Sequence, residues 1–318
     1  MDGQHALFHV SPARWFLFSS PHSPFPRSRK ELWARRSVGT VCFRTGVSNC
    51  ECAKTVLIYA TPCREATRVS EMKQATPDFT GLSRKAFDFM KGLRKNNNKQ
   101  WFDAHREMYE NDLVAPARAL ISQLGEFIHY LNPAFEVEPK FNKAIMRITK
   151  DMRFAKGAPY RDYFLVRFGR WKMDSELFLV WTSEGLEVGI FVNNSPKEDT
   201  SFFRANVTQA PELFVKTCNE FGIGRTFSVF DLAGDNETII PRFDPARDKD
   251  RIAQLRMFLI ERSHPPSHRR LYRPEFLTDI MTIFSRLYPI WIFAASTHPA
   301  DDLERYRSLV DPHDLPKS

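Results

Sequence analysis

Hydrophobic side chains recur at three- and four-residue intervals between residues 79 and 133, which is the spacing of helices that bury one face. The pattern predicts three helices. The first is capped by Ser83, and the second begins at Asn97, with Gln100 in capping-box position. Pro116 either opens the third helix or kinks the second one, because proline cannot donate a backbone hydrogen bond.

The middle of the chain reads as strands, and Tyr163–Trp171 shows the two-residue alternation that is typical of them. The predicted strands are Ala144–Asp151, Tyr163–Trp171, Glu176–Thr182 and Leu186–Asn193, with shorter ones at Thr226–Phe230 and Glu237–Pro241. The turn Ser183-Glu-Gly185 separates two of them and predicts a hairpin.

Helical patterns return in the last part of the chain, at Gln209–Phe221, Pro245–Glu261 and Pro274–Leu287. With helices at both ends and strands between them, the chain is predicted to be an α+β protein. Its central antiparallel sheet would carry helices from the N- and C-terminal parts of the domain. The apolar run at Tyr288–Ala295 is much shorter than a membrane span, so we expect no membrane contact.

Residues 1–71 lack both periodicities and differ from the remainder in charge and cysteine content. They hold ten Lys or Arg and five Asp or Glu, which leaves 36 and 33 in the rest of the chain. We expect a poorly ordered or spurious extension, with Met72 as the true start and residues 72–318 as a single α+β domain. A targeting peptide and a zinc site are the alternatives. The cysteines available for zinc are Cys42, Cys50, Cys52 and Cys63.

Residues 72–318 carry one cysteine, Cys218, and a small excess of positive charge. A single cysteine excludes an intrachain disulfide framework there and favours a reducing, cytoplasmic location. The small charge excess argues against nucleic-acid binding, which usually needs many cations on one face. The sequence contains neither a glycine-rich phosphate loop nor the short motifs of serine hydrolases and zinc proteases.

The densest group of charged side chains runs from Arg147 to Arg161, where cations surround Asp151 and a Pro-Tyr pair closes the loop. Read as a strand, the first part places Arg147, Asp151 and Arg153 on one face. A neighbouring strand would add Arg167 to that face. Because the guanidinium fork suits phosphate and carboxylate, we predict a small anionic ligand. The predicted ligand-binding residues are Arg147, Arg153, Lys156, Tyr160, Arg161 and Arg167.

Two side chains are candidates for proton transfer. Asp151 lies among the arginines, and His105 lies on the second predicted helix near Asp103 and Glu107. Neither residue belongs to a recognisable catalytic motif, so the sequence leaves open whether the protein is an enzyme.

One group of residues has intervals that suggest a metal site. Its members are Glu261, His264 and His268. Pro265 and Pro266 interrupt any helix between them, so the intervals do not place the three side chains on one face. We therefore predict no metal, and the sequence indicates neither a cofactor nor an oligomeric state.

Two motifs and a C-terminal stretch make the chain resemble a known family. The residues are Asn97-Asn98-Lys-Gln-Trp101-Phe102 with Tyr109, then Arg147-Ile-Thr-Lys-Asp151-Met-Arg153-Phe154-Ala-Lys156 with Pro159-Tyr160, and Tyr272-Arg-Pro-Glu-Phe276 before Leu287-Tyr-Pro289. Together they are similar to domain of unknown function 2461, a largely bacterial family of conserved hypothetical proteins. The resemblance covers about residues 79–292.

The resemblance implies an α+β domain, and it implies no established activity, cofactor or catalytic residue. The chain also departs from the family pattern. Where the family tends to have a glycine cluster on the strand after the hairpin, this chain has Val188-Gly189-Ile190. The departure argues against a ligand that approaches the backbone at those positions in this chain.

Three functions are compatible with the sequence. The first is binding of a small anionic ligand, by a binding protein or an enzyme, through the Arg/Asp face. The second is an architectural or partner-binding role for the same cluster, because ion-pair networks resemble binding sites. The third is weak nucleic-acid binding, against which the charge argues.

Overall fold

The structure, a computed structural model, describes residues 78–153, 157–195, 201–234 and 237–316. The extension predicted at residues 1–71, the start at Met72 and the candidate Lys156 therefore lie outside the described residues. The α+β class is confirmed, because helices from both ends of the described chain accompany a six-stranded antiparallel sheet.

The N-terminal part of the described chain is helical. Its helices are α1 (Arg84–Lys95), α2 (Lys99–Ala104), α3 (Arg106–Met108) and α4 (Ala115–Leu131), with a π-helical turn at Tyr109–Val114 between the last two. As predicted, Ser83 caps α1, and its Oγ accepts a hydrogen bond from the Lys85 N–H. Pro116 lies in the first turn of α4, directly after the π-helical turn, so its missing N–H falls at the start of a helix, where proline is tolerated.

Three consecutive asparagines separate α1 from α2, and each has a different role. Asn96 ends α1, because its backbone N–H and its side-chain amide both donate to a carbonyl of the preceding turn. Asn98 caps α2 by accepting a hydrogen bond from the Trp101 N–H at 2.9 Å. The prediction that Asn97 caps this helix is wrong, because the Asn97 side chain binds the backbone of Tyr160 instead.

The sheet is built around the predicted hairpin. Its strands are β1 (Phe164–Phe168), β2 (Glu176–Trp181), β3 (Leu186–Asn193), β4 (Ser228–Asp231), β5 (Thr238–Ile240) and β6 (Met257–His264), in the spatial order β1-β2-β3-β6-β4-β5. The hairpin of β2 and β3 is confirmed. Gly185 completes its turn at a positive φ, and a Cβ there would lie 2.3 Å from the His264 carbonyl oxygen.

The predicted strand Ala144–Asp151 does not form, because this segment changes its pairing partner halfway. Its first part makes one isolated bridge to β1, between Ile145 and Val166. Its second part turns away and makes one bridge to the returning chain, between Thr149 and Tyr160. Neither partnership extends into a ladder, so the alternation in the sequence does not produce a strand.

The prediction of one helix over Pro245–Glu261 is also wrong. A helix, α7, occupies Pro245–Gln254, and Leu255 then leaves the helical conformation. The apolar residues that follow form β6, which pairs with β3 on one side and β4 on the other. A strand buried on both faces lacks alternation, so its sequence does not distinguish it from a buried helical turn.

The C-terminal part of the chain supplies further helices. They are α5 (Phe203–Gln209), α6 (Pro211–Glu220), α8 (Phe276–Ala295) and α9 (Pro299–Leu309), with 3-10 turns at Arg269–Tyr272 and Pro312–Asp314. By length and composition alone α8 could cross a membrane, but 72% of its most apolar window is buried inside the protein. It is therefore the central helix of the core, and side chains such as Phe284 and Leu287 pack there.

The sheet has two different faces. On the first, strand residues such as Val166, Leu179 and Ile190 join the large core that includes the helices. On the second, a smaller buried cluster consists of Tyr163, Leu165, Phe178, Val180, Phe191, Phe230 and Leu259. These residues lie in strands or directly beside β1, and within the described ranges no helix contributes to the cluster. We call this side of the sheet the second face.

Candidate functional site

Residues 157–161 run back along residues 147–153, and we call these two described segments the basic hairpin. The Lys150 N–H donates to the Pro159 carbonyl, and the Arg161 N–H donates to the Ile148 carbonyl, both at 2.8 Å. Four of the predicted ligand-binding residues with described positions lie on this hairpin, and Arg167 lies on β1.

At the tip of the basic hairpin, Arg153 and Asp151 bind each other. The Nε and Nη2 atoms of Arg153 donate to the two carboxylate oxygens at 3.0 and 2.7 Å. These hydrogen bonds lower the pKa of Asp151, which keeps the carboxylate ionised and makes it a poor proton donor. The side chains are 80% and 48% exposed, so the ion pair contributes little to stability.

Arg161 binds the backbone of the same hairpin. Its Nη1 atom donates to the carbonyl oxygens of Arg147, at 3.0 Å, and Thr149, at 2.7 Å. Arg147 itself is exposed. Of the predicted arginines on the hairpin, Arg161 thus has an internal role, whereas Arg147 is exposed and Arg153 is paired with Asp151.

Tyr160 joins the two motifs that carry the family resemblance. Asn97 Nδ2 donates to the Tyr160 carbonyl at 2.9 Å, and the Tyr160 N–H donates to Asn97 Oδ1 at 3.0 Å. The Tyr160 ring stacks on Phe102, with centroids 4.2 Å apart and planes inclined by 11°. Tyr160 is buried. It therefore forms a structural joint between α2 and the basic hairpin.

His105, the second candidate for proton transfer, is engaged by its own helix. Its ring stacks on Trp101 with centroids 4.0 Å apart. Its Nδ1 atom lies 2.8 Å from the Trp101 carbonyl oxygen, which requires the proton on Nδ1. The nearby Asp103 binds Arg106 at 2.6 Å. These contacts place His105 at the junction of α2 and α3 as a stacking and capping residue.

Arg167 lies on the second face, away from the basic hairpin. Because side chains alternate along β1, Arg167 shares the face of Leu165. Its Nη1 atom donates at 3.1 Å to Oε2 of Glu176, the first residue of β2. The Arg167 side chain is 21% exposed and that of Glu176 is 1% exposed. Arg167 is thus a partly exposed cation that binds the buried carboxyl group of Glu176.

The expectation that Arg147 and Arg167 share a strand face loses its basis, because it required a strand over residues 144–151. Val166, which pairs with Ile145, faces the helical core, so Arg167 faces the opposite way. Arg147 lies beyond this bridge and binds Arg161 through its carbonyl. The predicted arginines therefore form two groups.

Glu176 has an unusual environment for a carboxyl group. Its Oε2 atom accepts from Arg167, whereas its Oε1 atom is buried and accepts no hydrogen bond from the described residues. Burial raises the pKa of Glu176 to about 7; Arg167 opposes this effect, and the charge of Asp174 adds to it. A Cβ at Gly169 would lie 2.8 Å from the Glu176 Cβ, so glycine leaves the space that this side chain occupies.

Glu176 is the functional candidate that sequence reasoning missed. A signal was present, because Glu176 is the only charged residue in the run from Glu176 to Trp181. A charge in a buried strand needs a partner. The sequence does not show that this partner is Arg167, because their proximity follows from the register of β1 against β2.

Of the residues with metal-like intervals, Glu261 is separated from His264, because residues three apart on β6 lie on opposite faces of the sheet. His264 ends β6 and faces His268, with ring centroids 5.4 Å apart. His264 is buried, and burial together with the charges of His268 and Arg262 lowers its pKa to about 4. Among the residues that the structure describes, no group of three or more His, Cys, Asp or Glu is arranged to hold a metal ion.

The burial of His264 predicts a pH-dependent stability with a defined sign. Its pKa is about 4 in the folded protein and 6.5 without the protein environment, so its contribution is complete above pH 6.5 and is lost as pH falls toward 4. Between pH 7.5 and pH 5, the change in the free energy of unfolding, measured in urea, should be about 2 kcal/mol more favourable to the folded state in His264→Leu than in the wild type, because Glu176 and the other groups titrate in both proteins. His268→Leu is the control and should keep a pH dependence close to that of the wild type. An unchanged pH dependence in His264→Leu would contradict the assignment.

Comparison with known proteins places these features in a family. The family model described as "Conserved hypothetical protein (DUF2461)" matches residues 85–293. The chain belongs to the DUF2461 family. The matched range agrees with the residues 79–292 expected from the motifs, and it contains the basic hairpin and the Arg167–Glu176 pair. No curated protein and no solved structure matches the chain.

In this DUF2461 protein, the single glycine of β3 has a packing role. Gly189 lies on the second face, between Phe178 of β2 and Glu261 of β6. A Cβ at position 189 would lie 2.5 Å from the Ile260 carbonyl oxygen and 2.8 Å from the Glu261 Cβ. The pairing of β3 with β6 therefore requires glycine here, whether or not a ligand approaches.

Proposed function

We propose that this DUF2461 protein binds a small organic anion with an apolar body on the second face of its sheet. The observation that carries the proposal is the position of Arg167, a partly exposed guanidinium at the margin of a buried apolar cluster. One of its nitrogens, Nη1, binds Glu176, and its other donors have no partner among the described residues. A planar guanidinium fork suits a carboxylate.

The surroundings of Arg167 support an apolar body for the ligand. Phe178 lies directly opposite Arg167 on β2, and Leu165 lies two residues before it on the same face. Sites for small molecules typically combine an apolar lining with a few polar groups that fix orientation. A carboxylate at Arg167 would therefore place the remainder of the ligand at the margin of this buried apolar cluster.

The test uses hexanoate, octanoate, benzoate and phenylacetate as probes. We expect at least one to raise the melting temperature of the wild type at pH 6.5 by mass action. Arg167→Gln should weaken its binding, measured by calorimetry, by about tenfold or more, because a hydrogen bond to a charged group contributes roughly 1.5–3 kcal/mol. Arg167→Lys keeps the charge without the fork and should fall between the two.

Arg153→Gln is the matched control, because Arg153 is an exposed arginine on the basic hairpin. It should bind the probe as the wild type does. Loss of binding in Arg153→Gln with retention in Arg167→Gln would move the anion site to the basic hairpin. If no probe binds the wild type, the proposed function is refuted for organic carboxylates.

For the basic hairpin we infer an architectural role, which was the second function compatible with the sequence. The paired hydrogen bonds between Asn97 and Tyr160 favour it, because they connect the hairpin to α2 without any ligand. The bracing of the hairpin backbone by Arg161 favours it too. Its test is the stability of Asn97 variants, given below.

We also infer that the protein works in the cytoplasm. Cys218, the one cysteine of residues 72–318, is a buried free thiol. Burial raises its pKa, so the thiol stays protonated and unreactive. A single cysteine in residues 72–318 leaves no intrachain disulfide there, which suits a reducing compartment. Fractionation of cells that express the full chain checks this location, and recovery outside the cytoplasm would contradict it.

A further inference from the structure

We propose that anion binding at Arg167 is coupled to the uptake of one proton by Glu176, whose Oε1 then donates a hydrogen bond to the ligand. The inference rests on the proposed function, because it concerns the same site. It adds a requirement that simple anion binding lacks: the ligand and a proton bind together.

The geometry of Glu176 carries this inference. Its two carboxyl oxygens have different surroundings, since Oε2 accepts from Arg167 at 3.1 Å and the buried Oε1 has no donor among the described residues. An ionised carboxylate with one oxygen buried and unbonded is costly. The protonated form removes this cost, provided that the new O–H group finds an acceptor. A ligand carboxylate bound to Arg167 would lie beside the same carboxyl group, because Arg167 contacts its Oε2 atom, and would supply that acceptor.

The charge balance leads to the same conclusion. Arg167 carries one positive charge, which Glu176 already uses. A second carboxylate at the same guanidinium would place two like charges side by side, which raises the pKa of one of the two carboxyl groups and favours its protonated form. The proton comes from solvent, no covalent bond is made or broken other than the O–H bond of Glu176, and the site gains no net charge.

The other groups near Glu176 do not supply a second cation that would make this proton unnecessary. Asp174, in the turn before β2, is held by Arg170 through hydrogen bonds of 2.7 and 3.0 Å. On β3 the residue opposite Glu176 is the apolar Phe191. The pKa of Glu176, which burial raises to about 7, agrees with a proton that is gained and lost near neutral pH. Arg167 is thus the one cation within hydrogen-bond distance among the described residues.

Proton counting by calorimetry tests the coupling. The probe is the carboxylate of highest affinity from the first experiment, titrated at pH 8 in two buffers of different ionisation enthalpy. We expect the wild type to take up close to one proton per ligand at pH 8 and close to none below about pH 6. Its affinity should fall about tenfold per pH unit above about pH 7, because one proton is linked to binding.

Glu176→Gln is the informative variant, because its amide N–H replaces the carboxyl O–H as a donor. It should bind the probe independently of pH, with the affinity that the wild type has at low pH and without proton uptake. Glu212→Gln, an exposed substitution on α6, is the control and should keep the coupling. Should Glu176→Gln fail to fold, the proton count of the wild type decides alone.

The outcomes separate the two proposals. Arg167-dependent binding without proton uptake at pH 8 would overturn the coupling and leave the proposed function intact. Retention of the pH dependence in Glu176→Gln would assign the proton to another group and would also overturn the coupling. Absence of binding by every probe at every pH would refute both.

Discussion

Replacing Arg167 by leucine should lower the free energy of unfolding by about 3 kcal/mol at pH 8. The substitution removes the cation that neutralises Glu176, whose side chain is 1% exposed, and so leaves a buried charge without its partner. Removing one member of a buried ion pair costs about 3–5 kcal/mol, and the 21% exposure of Arg167 favours the lower end. Urea unfolding of the variant and the wild type measures the difference.

The pH dependence of this loss identifies its cause. The pKa of Glu176 is about 7 in the folded protein and 4.5 without the protein environment, so its stabilising contribution is complete below pH 4.5 and is lost as pH rises through 7. At pH 5 the folded protein holds Glu176 protonated, and Arg167→Leu should cost much less than at pH 8. Equal losses at the two pH values would indicate lost packing instead of an unpaired charge.

A double variant provides the matched control for this prediction. Arg167→Leu combined with Glu176→Gln removes both charges, so the large loss at pH 8 should not appear. If the double variant is as unstable at pH 8 as Arg167→Leu, the ion pair is not the reason for the loss. The cycle thus measures the coupling of the two side chains independently of any ligand.

Asn97→Ala should lower the free energy of unfolding by about 2–3 kcal/mol, because it removes two hydrogen bonds and leaves the backbone N–H and carbonyl of Tyr160 without their partner. Tyr160 is buried, so water does not easily replace the lost amide. Urea unfolding at neutral pH measures the loss. A cost of this size would support the architectural role of the basic hairpin.

Asn98→Ala is the control, because Asn98 is the neighbouring asparagine and makes only the local cap of α2. Losing an N-cap costs about 1 kcal/mol. We therefore expect Asn97→Ala to lower the free energy of unfolding more than Asn98→Ala does. If the two substitutions cost the same, the link between α2 and the basic hairpin would contribute nothing beyond a cap.

Local signals were sufficient for much of the fold. Ser83 begins α1 as predicted, because a cap acts within one helical turn. The hairpin of β2 and β3 follows from apolar strands around a short turn that ends in Gly185. The errors lie where partners are distant in sequence. Asn97 satisfies the spacing of a cap but binds Tyr160, 63 residues away, and β6 has a sequence that suits a buried helix as well as a buried strand.

The candidate site shows the same division. The sequence by itself determined the α+β class, the family and the residue types available for anion binding, because periodicity, turns and motifs are local properties. Only the tertiary structure decided that Arg153 binds Asp151, that Arg161 binds carbonyl groups of its own hairpin, and that Arg167 lies beside the buried Glu176. The physical reason is that the role of a charged side chain depends on its burial and on its hydrogen-bond partners. Burial and hydrogen-bond partners come from the register of strands and the path of the chain, and spacing along the sequence does not encode them.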